Sequence, residues 1–184
     1  SVKTLRSSHS WVLKSSRTGD FIASHASTHP TKQVHSTKRP EAAGHAAALI
    51  VTRELLRGQP PIDKTMRFHV DNTAVVRGAT TQNHRGPRAT LVPEWDLMKQ
   101  IRILKQQIPI RTVTIWVKSH QDDSVPVESL SFAAQLNCQA DALATSQHTC
   151  IQCTTAHTFH PLQRLKRISS FQGKSSLLIF NVRC

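Results

Sequence analysis

The alternation of strand-like and helix-like segments constrains the fold of this chain more than any other feature. In residues 66–70 (MRFHV), apolar residues alternate with Arg67 and His69, which is the period of a half-buried strand. Residues 111–117 (RTVTIWV) form a second β-rich run, and helical patterns lie on either side of both runs. Strands that alternate with helices usually pair in parallel within one sheet, so the pattern predicts an α/β fold.

The remaining segments complete the predicted order β, β, α, β, α, α, β, α. Two short strand-like runs separated by the polar segment KSSRTG predict an antiparallel hairpin within residues 10–24, followed by a polar, His-rich connection over residues 24–39. Pro40 and Gly58 are typical of the start and the end of a helix. The predicted helices cover residues 40–57, 72–79, 93–107 and 132–146, and a predicted loop covers residues 80–92.

Charge favours a polyanionic partner. The chain has 24 Lys and Arg residues against 11 Asp and Glu residues, a formal charge of +13. Such a balance is typical of proteins that bind nucleic acid, although a charged surface without a partner would give the same composition. No apolar run reaches the length of a membrane span, and the N-terminus lacks the apolar stretch of a secretory signal. Only four cysteines are present, so we expect an intracellular, reduced protein without a membrane partner, in either nucleus or cytoplasm.

Periodicity fades near residue 147, which predicts a domain over residues 1–147 and a basic tail over residues 148–184. One late strand is expected within residues 174–182. The tail also contains a possible zinc cluster with a spacing too short for a zinc finger, and an unstructured segment is the alternative. Its members are Cys150, Cys153, His157 and His160.

Three acidic residues occupy places suited to metal-dependent chemistry. Glu41 opens the first long helix, Asp71 ends the MRFHV strand, and Asp141 lies on the last helix four residues after Asn137. Ligands bind beyond the carboxyl ends of parallel strands, where we expect both Asp71 and His120. Clustered carboxylates repel one another unless a cation joins them, and Mg²⁺ prefers such oxygen ligands.

Each of these residues also has a structural interpretation. Glu41 would complement the helix dipole, and Asp71 would cap the helix that follows it. Asp141 would lie on a solvated helix face, and His120 is one of 11 histidines. Only their combination favours a functional site.

Four segments in sequence order resemble the type 1 ribonuclease H domain, in the form found at the end of the reverse transcriptases of non-viral retroelements. They are RPEAAGHAAAL, FHVDNTAVV, WVKSHQDD and LNCQADALA, and the resemblance covers residues 1–147. It implies a ribonuclease H-like mixed sheet, with an antiparallel hairpin plus parallel strands, flanked by helices. It also implies that the chain is part of a larger polyprotein with a reverse transcriptase.

The resemblance implies cleavage of the RNA strand of an RNA–DNA hybrid, leaving a 3′ hydroxyl. Glu41, Asp71 and Asp141 match the residues that bind two Mg²⁺ ions in that family, for which Mn²⁺ can substitute. His120 matches the histidine that assists proton transfer or product release, and Asn137 matches a polar partner on the last helix.

The sequence departs from the family pattern at its start. The family's first strand carries a metal-binding aspartate within Asp-Gly-Ser, whereas this chain begins with Ser1. We therefore expect an N-terminally truncated domain with most of its first strand missing. Hydrolysis should be strongly reduced or absent, and the strands next to the gap should be poorly paired.

Substrate contacts are predicted on one basic helix face and at two asparagines. One helix face carries Lys99, Arg102 and Lys105, which would bind the hybrid or form an ordinary solvated face. Asn72 and Asn137 are further candidates. Trp95 and Trp116 are expected in the core.

Two rival functions remain open. The first is a non-catalytic nucleic-acid-binding module, or the remnant of a retroelement, with the same fold. The second is another nuclease or an integrase of this fold, which the histidine-containing loop before the last helix disfavours.

Overall fold

In the computed structural model of the chain, the described residues are 5–31, 38–81, 94–149 and 178–183. These ranges contain five strands and four α-helices in the predicted order, with the late strand at the end. The strands are β1 (Leu5–Ser15), β2 (Phe21–Thr31), β3 (Ile62–Val70), β4 (Ile110–Trp116) and β5 (Leu178–Arg183). The helices are α1 (Lys38–Leu55), α2 (Thr73–Thr80), α3 (Trp95–Gln107) and α4 (Phe132–Thr149). The predicted loop lies outside the described residues from residue 82 to residue 92.

All five strands form one mixed sheet in the order β2-β1-β5-β3-β4. β1 is antiparallel to both β2 and β5, whereas β3 is parallel to both β5 and β4. The fold is therefore α/β, with an antiparallel hairpin and parallel strands in the same sheet.

The last strand occupies a central place in this sheet. The register pairs Trp11 of β1 with Val182, and Phe68 of β3 with Phe180. The expectation of poorly paired neighbouring strands is wrong, because β5 pairs with both β1 and β3. The predicted boundary at residue 147 also separates segments that share one sheet, and α4 continues to Thr149.

The hairpin is longer than its sequence pattern indicates. Residues 24–31 were expected in a connection but belong to β2, where Thr28 pairs with Ser8 and Ser24 with Val12. Pairing with β1 satisfies the backbone of this polar segment, so it forms a strand without an apolar alternation. Gly19 has a φ of 72° in the tight turn between the two strands, a conformation that glycine adopts without steric cost.

Helices cover both faces of the sheet. Trp11 and Leu13 belong to a large apolar cluster with residues of α1, α2 and α3, such as Leu49 and Ile101. Val12 lies between them and packs instead against Leu136 and Ala140 of α4. Successive side chains of a strand point to opposite faces, so α1, α2 and α3 cover one face and α4 covers the other.

Burial along β3 follows the predicted alternation until its end. Met66, Phe68 and Val70 are buried in the large cluster and Arg67 is exposed, but His69 is buried as well. Burial lowers the pKa of His69, and the nearby charge of Arg67 lowers it further. The prediction of a half-buried strand is therefore wrong at His69, since both faces of the sheet are covered there.

The helices α1, α2 and α3 on one face of the sheet are joined by ion pairs and by close apolar contacts. Arg39 of α1 forms ion pairs with Glu94 at 2.6 Å and Asp96 at 3.0 Å, at the start of α3. Gly78 of α2 lies so close to α3 that a Cβ atom there would be 2.9 Å from Cγ of Met98. In the described part of the chain, no helix is long and apolar enough to cross a membrane.

Candidate nucleic-acid site at the sheet edge

The parallel strands β3 and β4 end side by side. Val70 and Trp116 are partners in the register, and the backbone N–H of Val117 donates to the carbonyl oxygen of Val70 at 3.1 Å. Asp71 and the segment that follows Val117 therefore leave the sheet at the same edge. This is the edge at which α/β proteins bind ligands.

Asn72, not Asp71, caps the helix that begins here. Its side-chain oxygen accepts from the backbone N–H groups of Ala74 at 2.9 Å and Val75 at 3.3 Å. The capping interpretation of Asp71 is thus wrong, and the residue itself is half-buried at the end of β3. A substrate contact from Asn72 remains a prediction that would use its amide NH₂ group, because the cap already uses the oxygen.

Trp116 is a residue of this edge that the sequence analysis placed in the core. Half of its surface is exposed, and its indole N–H donates to the backbone carbonyl oxygen of Asp71 at 3.1 Å. The core prediction is wrong because β4 is an edge strand of the sheet. Its position at the last residue of the strand beside Asp71 was the one available indication. Its hydrogen bond fixes the backbone at Asp71, which makes Trp116 a positioning residue.

His120 lies three residues beyond Val117 on the loop from the same edge. Its φ is 52°, which is unusual for a residue other than glycine, and it is exposed. A short 3₁₀ turn over Gln121–Asp123 follows it, and the side chain of Gln121 donates to the carbonyl oxygen of Lys118 at 2.8 Å. The loop that carries His120 thus starts at the edge where Asp71 follows β3.

The other two predicted acids lie on helices that cover opposite faces. Glu41 is in the first turn of α1 and only 6% exposed, and Asp141 is half-buried on α4. Asn137 is 1% exposed one turn before Asp141, and its side-chain oxygen has no hydrogen-bond partner among the described residues. The hydroxyl of Ser10 in β1 donates to the carbonyl oxygen of Ala140 at 2.5 Å, which fixes this part of α4 on the sheet.

These acids do not form a ready metal centre in the structure. Within the described ranges, no three side chains of His, Cys, Asp or Glu lie close enough together to hold an ion. Glu41, Asp71 and Asp141 therefore do not fit a preformed Mg²⁺ site, and the predicted ions stay a prediction. The cysteines and histidines of the possible zinc cluster, residues 150–160, lie outside the described residues.

His45 lies one turn after Glu41 on α1 and is not among the residues predicted from the sequence. It is fully buried, its ring packs against Phe68, and neither ring nitrogen has a hydrogen-bond partner in the described structure. Burial, and to a smaller degree the charge of Lys105, lower the pKa of His45 to about 3. His45 is therefore neutral at physiological pH, and its role is packing. The helical spacing of four residues from Glu41 would have indicated the shared face.

The three residues of the predicted basic face of α3 differ in how far they are buried. Lys99 is exposed with its ammonium 4.9 Å from the centre of the Trp95 ring, and Arg102 is half-buried. Lys105 is also half-buried, and its pKa is lowered because burial disfavours the charged form. The alternative of a simple solvated face therefore does not describe Lys105.

Comparisons with known proteins leave the family of this chain open: no family model, no curated protein and no solved structure matches it.

Proposed function

We propose that the chain is a ribonuclease H-like domain of a retroelement reverse transcriptase polyprotein that acts on RNA–DNA hybrids at the edge where β3 and β4 end. One observation carries the proposal. The two parallel strands end side by side, and Asp71 and the loop that holds His120 follow these two strand ends. A carboxylate and a histidine at the carboxyl edge of an α/β sheet are suited to work on a bound phosphodiester.

Three further features support a hybrid as the partner. The formal charge of +13 favours a polyanion. The described residues form an α/β structure with an antiparallel hairpin and parallel strands in one sheet, which agrees with the resemblance at this coarse level. Glu41 and Asp141 lie on the helices where the resemblance expects them. A nucleic-acid partner is also consistent with an intracellular location.

We further propose that hydrolysis of the RNA strand is strongly reduced or absent in this chain. The support is the absence, within the described residues, of a group of side chains that could hold an ion. The same observation favours a second candidate function, a non-catalytic module that binds nucleic acid with the same fold.

Cleavage of a labelled RNA–DNA hybrid in Mg²⁺ or Mn²⁺ tests the proposal, with hybrid affinity measured on the same samples. Asp71→Asn is the test variant, and Asp63→Asn is a matched control because Asp63 is an exposed acid on the same strand. We expect a hybrid affinity above that for duplex DNA of the same sequence, and at most a trace of cleavage, which Asp71→Asn alone removes.

Two results would contradict these statements separately. Equal affinity for hybrid and duplex DNA would rule out the hybrid as the preferred partner. Efficient cleavage that depends on Asp71 would show that hydrolysis is not reduced and would eliminate the non-catalytic module.

A further inference from the structure

A groove of about 700 Å³ lies on the far side of α2 from Asp71. It is bounded by the end of α2, by the second half of α3 and by the edge strand β4. Asp71, Asn72, Trp116 and His120 do not line it. The groove is thus a separate feature of the surface.

The charge of this groove is of one sign. Among the described residues that line it, four are cationic and none is Asp or Glu. They are Lys99, Arg102, Lys105 and Arg111. Among the described residues, none of the ion pairs includes any of these four side chains. Like charges around a concave surface concentrate a positive potential there, which attracts an anion.

Lys105 shows that the groove is built to hold a cation away from bulk water. Its ammonium donates to the carbonyl oxygen of Ala79 at 3.4 Å and to the hydroxyl of Thr114 at 3.3 Å. The half-buried ammonium is partly desolvated, and two neutral acceptors at these distances compensate for that only weakly. An anionic group in the groove would supply the missing stabilisation of its charge.

A structural role accounts for only part of this cluster. Lys105 and Arg102 donate to carbonyl oxygens at the end of α2, Ala79 and Thr81, as cations near a helix C-terminus commonly do. Arg102 uses one of the five N–H donors of its guanidinium in this way. Arg111 is on β4 and Lys99 is on the first turns of α3, so neither is needed for that cap.

The position of the groove indicates which anion it receives. α2 has eight residues and thus spans about 12 Å from the Asp71 edge to the groove. That distance corresponds to about three or four successive phosphates of one strand in a duplex. A nucleic acid bound at the Asp71 edge can therefore extend its backbone into the groove.

We propose that the groove between α2, α3 and β4 binds the phosphodiester backbone of the nucleic acid next to the segment held at the Asp71 edge. This inference rests on the proposed function for the identity of the nucleic acid. Backbone binding of this kind fixes the position of the strand without reading its sequence.

The test compares two triple variants of the full chain with the same loss of charge. The groove variant is Lys99→Gln, Arg102→Gln and Arg111→Gln. The control variant is Lys14→Gln, Arg17→Gln and Arg57→Gln, none of which lines the groove. Hybrid affinity is measured in EDTA over a range of salt concentrations, so that hydrolysis contributes nothing.

We expect the groove variant to bind roughly tenfold more weakly or worse at low salt, and the slope of log K against log salt to fall by about 2 to 3. The control variant should retain its slope. Equal losses in both variants would overturn the proposal, because they would show that only total charge matters.

Two further measurements keep the test decisive. The single variant Lys99→Gln changes an exposed residue and should reduce the slope by about one even if the triple variant is unstable. Inorganic phosphate should compete only weakly with the hybrid, and efficient competition would instead assign the groove to a small anion. The Asp71 site is read by Asp71-dependent cleavage in Mg²⁺ and the groove by the salt slope in EDTA, so failure of the groove and failure of the Asp71 site are distinguishable.

Discussion

The two ends of α2 differ in almost every respect that matters for binding. At its N-terminus, Asp71 is followed by the cap from Asn72, and Trp116 fixes the backbone of Asp71. At its C-terminus, Arg102 and Lys105 donate to the last carbonyl oxygens. The helix dipole favours an anion at the first end and cations at the second, so both arrangements are also favourable for the helix itself.

This difference separates the residues that stabilise α2 from the residues that the helix does not need. The Asn72 cap and the two carbonyl contacts are what any short helix requires. Arg111 and Trp116 are not part of the helix ends and come from the neighbouring strand β4. Function is therefore best tested at these residues and at Asp71, whereas the helix contacts are best tested by stability.

The largest effect expected at neutral pH concerns the packing that holds α2 against α3. Gly78→Val should lower the free energy of unfolding by about 1–3 kcal/mol, because the new side chain overlaps Met98. For a chain of this size, that corresponds to a fall in Tm of about 2–4 °C for each kcal/mol. Thermal unfolding measures it.

Ala74→Val is the matched control, since Ala74 is exposed on the same helix. It should cost only about half a kcal/mol through helix propensity. If both variants were equally stable, the close approach of the two helices would not exist in solution.

The next effect is a pH dependence of the stability, which comes from a buried histidine of α1. The folded pKa of His45, about 3, is below its unfolded value of 6.5, so only the unfolded chain takes up the proton between these values. The stability that comes from keeping His45 neutral is fully present above pH 6.5. Below pH 6.5 the free energy of unfolding falls by up to about 1.4 kcal/mol per pH unit.

His45→Leu should remove that part of the slope in urea unfolding between pH 6.5 and 4, with little loss of stability at pH 7. His25 and His69, whose pKa values are also lowered by burial, would still contribute to the slope of stability against pH. A variant with an unchanged slope would show that His45 is not buried as a neutral group.

The smallest effect concerns the exposed ion pairs that join the starts of α1 and α3. Arg39→Gln should lower the free energy of unfolding by less than about 1 kcal/mol, because Arg39 is 46% exposed and solvent screens its charge. Urea unfolding at low and high salt measures the effect, which should decrease as salt is added.

The pH dependence of the stability provides a second check on the ion pair between Arg39 and Asp96. Arg39 lowers the pKa of Asp96 below 3.8, so the interaction is present above that value and lost as the pH falls through the lower folded pKa. Arg17→Gln in the β1–β2 turn is the control. An effect of Arg39→Gln that did not respond to salt would contradict the electrostatic explanation.

Local patterns predicted most elements of this fold, but not the second half of β2, whose polar residues show no apolar alternation. The alternation in MRFHV and the helical spacing in residues 93–107 each report which side chains are buried, and burial decides the element. The central place of β5 could not be predicted in this way, because its partners in β1 are more than 160 residues earlier in the chain. Nothing in the hydropathy of residues 174–182 identifies those partners.

The candidate site was predictable to a similar extent. Asp71 and His120 follow adjacent parallel strands, so topology alone places them at one edge. The exposure of Trp116 and the burial of Lys105 depend on which strand ends the sheet and on what packs beside it. Such neighbours are set by the tertiary fold and not by local sequence.

Chemical labelling of lysines with and without a bound RNA–DNA hybrid tests the central claim most directly. Lys118 follows Val117 at the Asp71 edge, Lys99 lines the groove, and Lys14 is on β1, with β5 and β3 between it and β4. We predict that the hybrid protects both Lys118 and Lys99 and leaves Lys14 unchanged. Equal protection of Lys14, or protection of neither Lys118 nor Lys99, would contradict a single nucleic-acid path along α2.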